Sequence, residues 1–224
     1  MRALFLALLL LAAEPVTAQC RLALILALDI SSSVDATERY LQIEGVAQAL
    51  EDATVQEALF AIPGAPVALM VFEWSGSWDQ TPVQEWVLID DPGDIPAITE
   101  RLRHAPRSRN NLPTAIGHAL IYAKDRLSDA PACAQQKIDV SGDGRSNDGV
   151  RPERIYQLFD WSEITVNGLA IESDVARLTA YYRGAIIHGD EAFVETAAGF
   201  EDFAETMRRK LIRELGLVRL GMSK

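Results

Sequence analysis

Residues 22–33 read LALILALDISSS, in which Leu22, Leu24, Ile25, Leu26 and Leu28 form a near-continuous apolar run that stops at Asp29 and gives way to three serines. A run this short and this uniformly apolar predicts a strand covered on both faces, of the kind found in the middle of parallel sheets. Residues 67–74 (VALMVFEW) repeat the pattern, and residues 137–142 (KIDVSG) and 164–171 predict two more strands. Between the strands the apolar period changes to three and four. Ala36, Tyr40, Ile43, Ala47 and Leu50 place a stripe on one helix, with Ser33 or Asp35 available to cap it. Further helices are predicted over 95–104, over 114–127 with Pro113 at its start, over 152–161 and over 174–182. Phe200, Phe203, Met207 and Leu211 mark a last helix ending near Gly216. Residues 83–89 alternate as an antiparallel edge partner of 67–74, and 192–196 form a short final strand. Trp74 and Trp78 sit at the tip of that hairpin, either as a surface for a partner or with their rings folded back on it.

The resulting order, β-α-β-β-α-α-β-α-β-α-β-α, predicts an α/β fold. It is a doubly wound, mostly parallel six-stranded sheet with one antiparallel edge strand and helices on both faces. Tracing direction along the chain brings three segments to one end of the sheet. If strand 22–28 runs up, Asp29 is at the top; the helix over 95–104 returns the chain there and leaves Thr114; strand 137–142 runs up again and delivers Asp143. Asp29, Ser31, Ser33, Thr114 and Asp143 are therefore expected together at the C-terminal tips of the strands, where open α/β sheets place their sites.

The chain has 224 residues, 49% of them hydrophobic, enough for one domain with a single buried core. Its net charge of −11 argues against binding nucleic acid through phosphates and is otherwise a solubility feature. Residues 1–18 read as a signal peptide: Arg2, a Leu- and Ala-rich stretch over 3–13, and Val16-Thr17-Ala18 as a small-x-small cleavage site. That stretch is shorter than the roughly 20 residues a membrane span needs, and no later segment could cross a bilayer. The expectation is an exported chain, periplasmic or extracellular, with a domain over 19–216, a C-terminal tail over 217–224 and no stable membrane span after cleavage. Outside the cytoplasm an even pair of cysteines usually forms a disulfide. Cys20 and Cys133 each precede a strand and would start side by side if those strands are parallel neighbours; two unpaired buried thiols are the alternative.

The five top residues offer two carboxylates and three hydroxyls, with no sulfur among them and no His at a matching spacing. Oxygen-only donor sets select Mg²⁺, Mn²⁺ or Ca²⁺ over zinc or copper. With most donors neutral, a bound ion stays electron-poor and an open position attracts an outside carboxylate. Asp29-Ile30-Ser31-Ser32-Ser33 resembles the D-x-S-x-S signature of the von Willebrand factor type A domain, Thr114 with Gly117 matches its Thr element, and Asp143-Gly144 matches its Asp at the end of the fourth strand. The resemblance covers roughly 21–215. Residues 138–144 and Tyr181-Tyr182-Arg183 are similar to an uncharacterised family of secreted bacterial single-domain proteins of this type.

What the resemblance implies is a metal-ion-dependent adhesion site. Ser31, Ser33 and Thr114 would offer hydroxyls to the ion, with Asp29 and Asp143 holding it directly or through water. An Asp or Glu of a protein partner would complete the sphere. The family's strand order, 3-2-1-4-5-6, also implies that Cys20 lies beside Cys133. Asp139 departs from the apolar pattern of its strand and needs a partner or a wet face.

No G-x-S-x-G elbow, phosphate-binding loop or dinucleotide fingerprint is present, and residues 143–149 fail as a calcium loop at Arg145 and Asp148. A secreted Mg²⁺-dependent phosphohydrolase would want a second acid two residues after Asp29, where Ser31 stands. The expected function is non-catalytic, metal-dependent protein binding, with a structural subunit of an envelope complex as the alternative.

Overall fold

The computed structural model describes residues 20–107, 111–173 and 175–216. The expected signal peptide over 1–18, the expected start of the mature chain near Gln19, Asp174 as the expected first residue of a helix, and the expected tail over 217–224 lie outside these. Six strands form one sheet in the order β3-β2-β1-β4-β5-β6. They are β1 (Leu22–Asp29), β2 (Val67–Trp74), β3 (Gln80–Ile89), β4 (Gln136–Gly142), β5 (Ile164–Ile171) and β6 (Val194–Ala197). Every pairing is parallel except β2 with β3. Seven α-helices connect them: α1 (Ala36–Glu51), α2 (Ala53–Leu59), α3 (Ile95–His104), α4 (Ile116–Leu127), α5 (Pro152–Leu158), α6 (Leu178–Ala185) and α7 (Phe203–Glu214).

All eight residues of β1 are buried, because helices cover both sheet faces. Leu22, Leu24, Leu26 and Leu28 point into the layer of α1, α2, α3 and α7, among Ile43, Val46, Leu102, Met207 and Leu211. Ala23, Ile25 and Ala27 point into the opposite layer with Ile116, Leu120, Ile155, Leu178 and Tyr182 of α4, α5 and α6. The period-2 alternation of a strand thus divides one apolar run between two cores.

β2, α3 and β5 have the boundaries expected from the sequence. Elsewhere the elements shift, and each shift has a local cause. Helix α2 was not expected: Asp52, extended at φ −65° and ψ 132°, breaks the first helix and caps a second by accepting from Thr54 N and Val55 N. Strand β3 starts at Gln80 instead of residue 83, because Pro82 sits on an edge strand, where its missing N–H costs little. Helix α5 stops at Leu158 instead of residue 161, and α6 runs Leu178–Ala185 after Arg177 turns in the left-handed region at φ 63°. Strand β6 occupies Val194–Ala197 instead of 192–196. Helix α4 starts at Ile116, not at 114, and the first two residues of the expected helix belong to the loop.

Cys20 and Cys133 pair across the N-terminal ends of β1 and β4 and form a disulfide with Cα atoms 4.4 Å apart. It closes a loop with a sequence separation of 113. The chain-entropy model values that closure at about 4–5 kcal/mol.

Asp139 finds its partner on α7. Lys210 Nζ, fully buried, stands 3.3 Å from Asp139 Oδ1 and donates to Glu214 Oε1 at 3.1 Å. Asn167 donates to both oxygens of Glu214, at 2.8 and 2.9 Å, and Lys137 Nζ donates to its backbone carbonyl at 2.6 Å. Burial pushes the Asp139 carboxyl up to about 7; Lys210 pulls it down and Glu214 pushes it up.

Candidate metal site

The C-terminal tips of β1 and β4 are neighbours, and the loop before α4 packs across them. Asp29 ends β1 with its side chain fully buried. Its Oδ1 accepts from Ser31 N at 2.7 Å, which curls the chain back so that Ser31 faces the same end. Gln42 of α1 donates to the Asp29 carbonyl at 2.8 Å and holds the strand tip. The Ser31 and Ser33 hydroxyls share a hydrogen bond at 3.3 Å. Ser33 Oγ donates to Asp143 Oδ1 at 2.8 Å, and Thr114 Oγ1 donates to Ser31 Oγ at 3.1 Å. The five expected residues therefore form one hydrogen-bonded group drawn from three segments far apart in sequence.

Thr114 reaches the group because it lies outside the helix. Its N–H donates to Asn147 Oδ1 at 2.9 Å, and its carbonyl accepts from Asn147 N at 2.9 Å and Asp148 N at 3.2 Å. The loop after β4 thus clamps Thr114 on both sides. Ser32 N donates to the Leu112 carbonyl at 2.8 Å and joins the serine run to the same loop. Asn147 is a functional position that the sequence did not single out; only its place in the polar turn after Asp143 pointed to it. Above the group opens a cleft of about 360 Å³, lined by Ser33, Thr114, Asp143, Arg145, Asn147 and Val175, among others.

The electrostatics favour a cation. Burial, the charge of Asp143 second, pushes the Asp29 carboxyl up to about 7, against the opposing hydrogen bonds from Ser31. Asp29 Oδ2 is buried and has no hydrogen-bond partner among the described residues. An orphaned carboxylate oxygen, a second carboxylate and three hydroxyls at one point fit a hard divalent ion. Among the described residues no cluster of three or more His, Cys, Asp or Glu side chains is placed to hold a metal, so a site here depends on the hydroxyls as donors.

The two tryptophans separate. Trp74 is fully buried at the end of β2, whereas Trp78 is 93% exposed at the hairpin tip. Trp78 lines a second cleft of about 320 Å³ with Leu112 and Pro113, the residues just before Thr114. Ser77 ties this hairpin to the loop after β4, its N–H and hydroxyl donating to Asp148 Oδ2 at 3.0 and 2.6 Å.

The fold is similar to that of solved von Willebrand factor type A structures. Proximal thread matrix protein 1 from the mussel byssus superposes with a TM-score of 0.63 at 19% identity, over 88% of this chain and 48% of that one. A von Willebrand factor type A protein from Catenulispora acidiphila superposes with a TM-score of 0.60 at 18% identity, over 89% of this chain and 44% of that one. A further structure of the mussel protein, described as having a zinc occupied MIDAS motif, matches with a TM-score of 0.56 at 18% identity, over 88% and 48% of the two chains. The chain spans about half the length of these structures. No curated protein matches it. The model of one protein family matches residues 19–218. By that match the chain belongs to the family described as "Protein of unknown function (DUF1194)", and its fold is that of a von Willebrand factor type A domain.

Proposed function

We propose that this domain binds a protein partner through a divalent cation held by Asp29, Ser31, Ser33, Thr114 and Asp143. The observation that carries the reading is the convergence of these five side chains into one group, joined by the Ser33–Asp143 and Thr114–Ser31 hydrogen bonds, around a carboxylate with an unpartnered oxygen. Mg²⁺, Mn²⁺ and Ca²⁺ match the all-oxygen donor set. When bound, the cation supplies an electrophilic open position toward the cleft, to which an Asp or Glu of the partner is attracted. The protein's own part is to hold the donors. Asp29 is fixed by Ser31 N, Thr114 by Asn147, and Ser33 by its hydrogen bond to Asp143.

Two further features support a protein partner. Trp78 puts a large, solvent-exposed aromatic at the rim of the same end of the molecule, and aromatic side chains are enriched at protein interfaces. The Cys20–Cys133 disulfide suits an exported protein in an oxidising compartment. Among the described residues no helix is long and apolar enough to cross a membrane. The reading is one of binding and not turnover, since Ser31 occupies the place where a Mg²⁺-dependent phosphohydrolase would carry its second acid.

The test is titration of the domain with Mn²⁺ and Mg²⁺ by calorimetry, repeated on Asp143→Ala. Saturable binding that is lost in a folded Asp143→Ala variant is expected. Equal binding by the variant refutes the assignment.

A further inference from the structure

Two buried oxygens close to Gly142 have no hydrogen-bond partner among the described residues: Asp29 Oδ2 and the hydroxyl of Tyr182. Tyr182 belongs to α6, which follows β5, two strands from β1 in the sheet, and its side chain is fully buried at 0% exposure. It reaches Asp29 through a slot made by two glycines. A Cβ placed on Gly168 of β5 would stand 2.7 Å from Tyr182 Cδ1, and a Cβ placed on Gly142 of β4 would stand 2.8 Å from the Tyr182 hydroxyl. The same point on Gly142 lies 2.7 Å from Asp29 Oδ2. Two oxygens sharing such a neighbour are no farther apart than the roughly 5.5 Å that one bridging water spans.

We infer that the Tyr182 hydroxyl is the positioning donor for Asp29, fixing its second carboxylate oxygen through one bridging water. The inference rests on the metal reading for its consequence, though not for the contact itself. Three adjacent strands cooperate in it. Strand β1 supplies the carboxylate, while β4 and β5 each omit a side chain so that the ring can lie across them. A carboxylate that serves a metal is usually hydrogen-bonded in turn, and loss of such a partner typically weakens metal binding 10–100-fold. Ser31 N already holds Oδ1. Tyr182 is the counterpart for Oδ2, and with both in place the carboxylate is fixed in rotation about its Cβ–Cγ bond.

The experiment is Tyr182→Phe, which keeps the ring in its slot and removes only the oxygen. Expected is a folded protein, by circular dichroism, whose Mn²⁺ dissociation constant rises roughly 10–100-fold in calorimetry. Unchanged Mn²⁺ affinity in the folded variant overturns the inference while leaving the metal site standing. If the wild-type chain takes up no Mn²⁺, the metal reading falls, and the contact is decided on the metal-free protein by the ¹³C carboxyl resonance of Asp29. A resonance that moves in Tyr182→Phe supports the contact, and one that stays overturns it. Gly142→Ala is the second variant: its methyl enters the space between the two oxygens and should reproduce the weakening, with wild-type affinity in a folded Gly142→Ala counting against the inference.

Discussion

Lys210 is the cation whose removal the structure most clearly penalises. It is fully buried between two carboxylates, at 3.3 Å from Asp139 and 3.1 Å from Glu214. Lys210→Met keeps the length of the stem and deletes the charge. The carboxylates do not suffer equally. Glu214 retains two hydrogen bonds from Asn167 and a Lys137 amine 3.8 Å away, whereas neither oxygen of Asp139 has a hydrogen-bond partner among the described residues, and Lys210 supplies its ion pair. Breaking one side of a buried pair costs about 3–5 kcal/mol. For a domain of this size that lowers the melting midpoint by about 6–20 °C.

The loss should depend on pH. The folded-state value of Asp139, about 7, lies above the ordinary value of a carboxyl. The folded chain therefore binds more protons than the unfolded one between those limits, and this group's contribution to stability falls as pH rises through that window. At pH 5 Asp139 is already protonated and loses little with Lys210. At pH 8 the wild-type protein gains the ionised pair, and the variant must keep the carboxyl neutral. The difference between the two proteins should therefore be larger at pH 8 than at pH 5. Asp29 titrates in the same range but is present in both proteins and cancels from the difference. The assay is urea unfolding of each protein at both pH values with the disulfide intact. A loss below about 1 kcal/mol at pH 8, or one equal at the two pH values, would refute the reasoning.

Two further outcomes follow from other parts of the molecule. Replacing both Cys20 and Cys133 with Ser should cost about 4–5 kcal/mol in urea unfolding by the chain-entropy model, and a loss under about 1 kcal/mol would show that the unfolded chain is already compact around this pair. Trp78→Ala should leave stability within about 0.5 kcal/mol, since the side chain is 93% exposed, while reducing EDTA-sensitive capture of an acidic protein partner. Undiminished capture would remove Trp78 from the binding surface.

The legible parts of this chain were those carried by local pattern. Strands β2 and β5 and helix α3 declare themselves by unbroken apolar runs or clear periodicity. The top of the site was legible because strand direction alone takes Asp29, Thr114 and Asp143 to one end of the sheet. What could not be read depends on side chains meeting across the fold. Asp139 looked like an error in strand β4 until α7 brought Lys210 over it, a contact between residues with no sequence signal in common. Tyr182 stood out only in the Tyr181-Tyr182-Arg183 resemblance, at the end of an expected helix, and its approach to Asp29 depends on Gly142 and Gly168 being bare in neighbouring strands. Trp74 and Trp78 were indistinguishable by type and spacing. The first ends β2 inside the core, while the second lies past the turn, where no layer covers it. Helix α2 was hidden because Asp52 serves as both the end of one helix and the cap of the next, which leaves no loop between them.

The position of the disulfide has a consequence for how the protein withstands proteases. It joins residues 20 and 133, at the entry to the two central strands, and the segment between them holds β1, β2, β3 and the first four helices. A protease that cuts once in any of the connecting loops of that segment leaves two pieces still bound through Cys20 and Cys133. The sheet order keeps β1 paired with both β2 and β4, so the nicked halves stay docked at the centre of the sheet. Under non-reducing conditions such a chain should migrate as one species and separate into two fragments only after reduction. A domain built this way loses its covalent unity only when a cut coincides with a reductant.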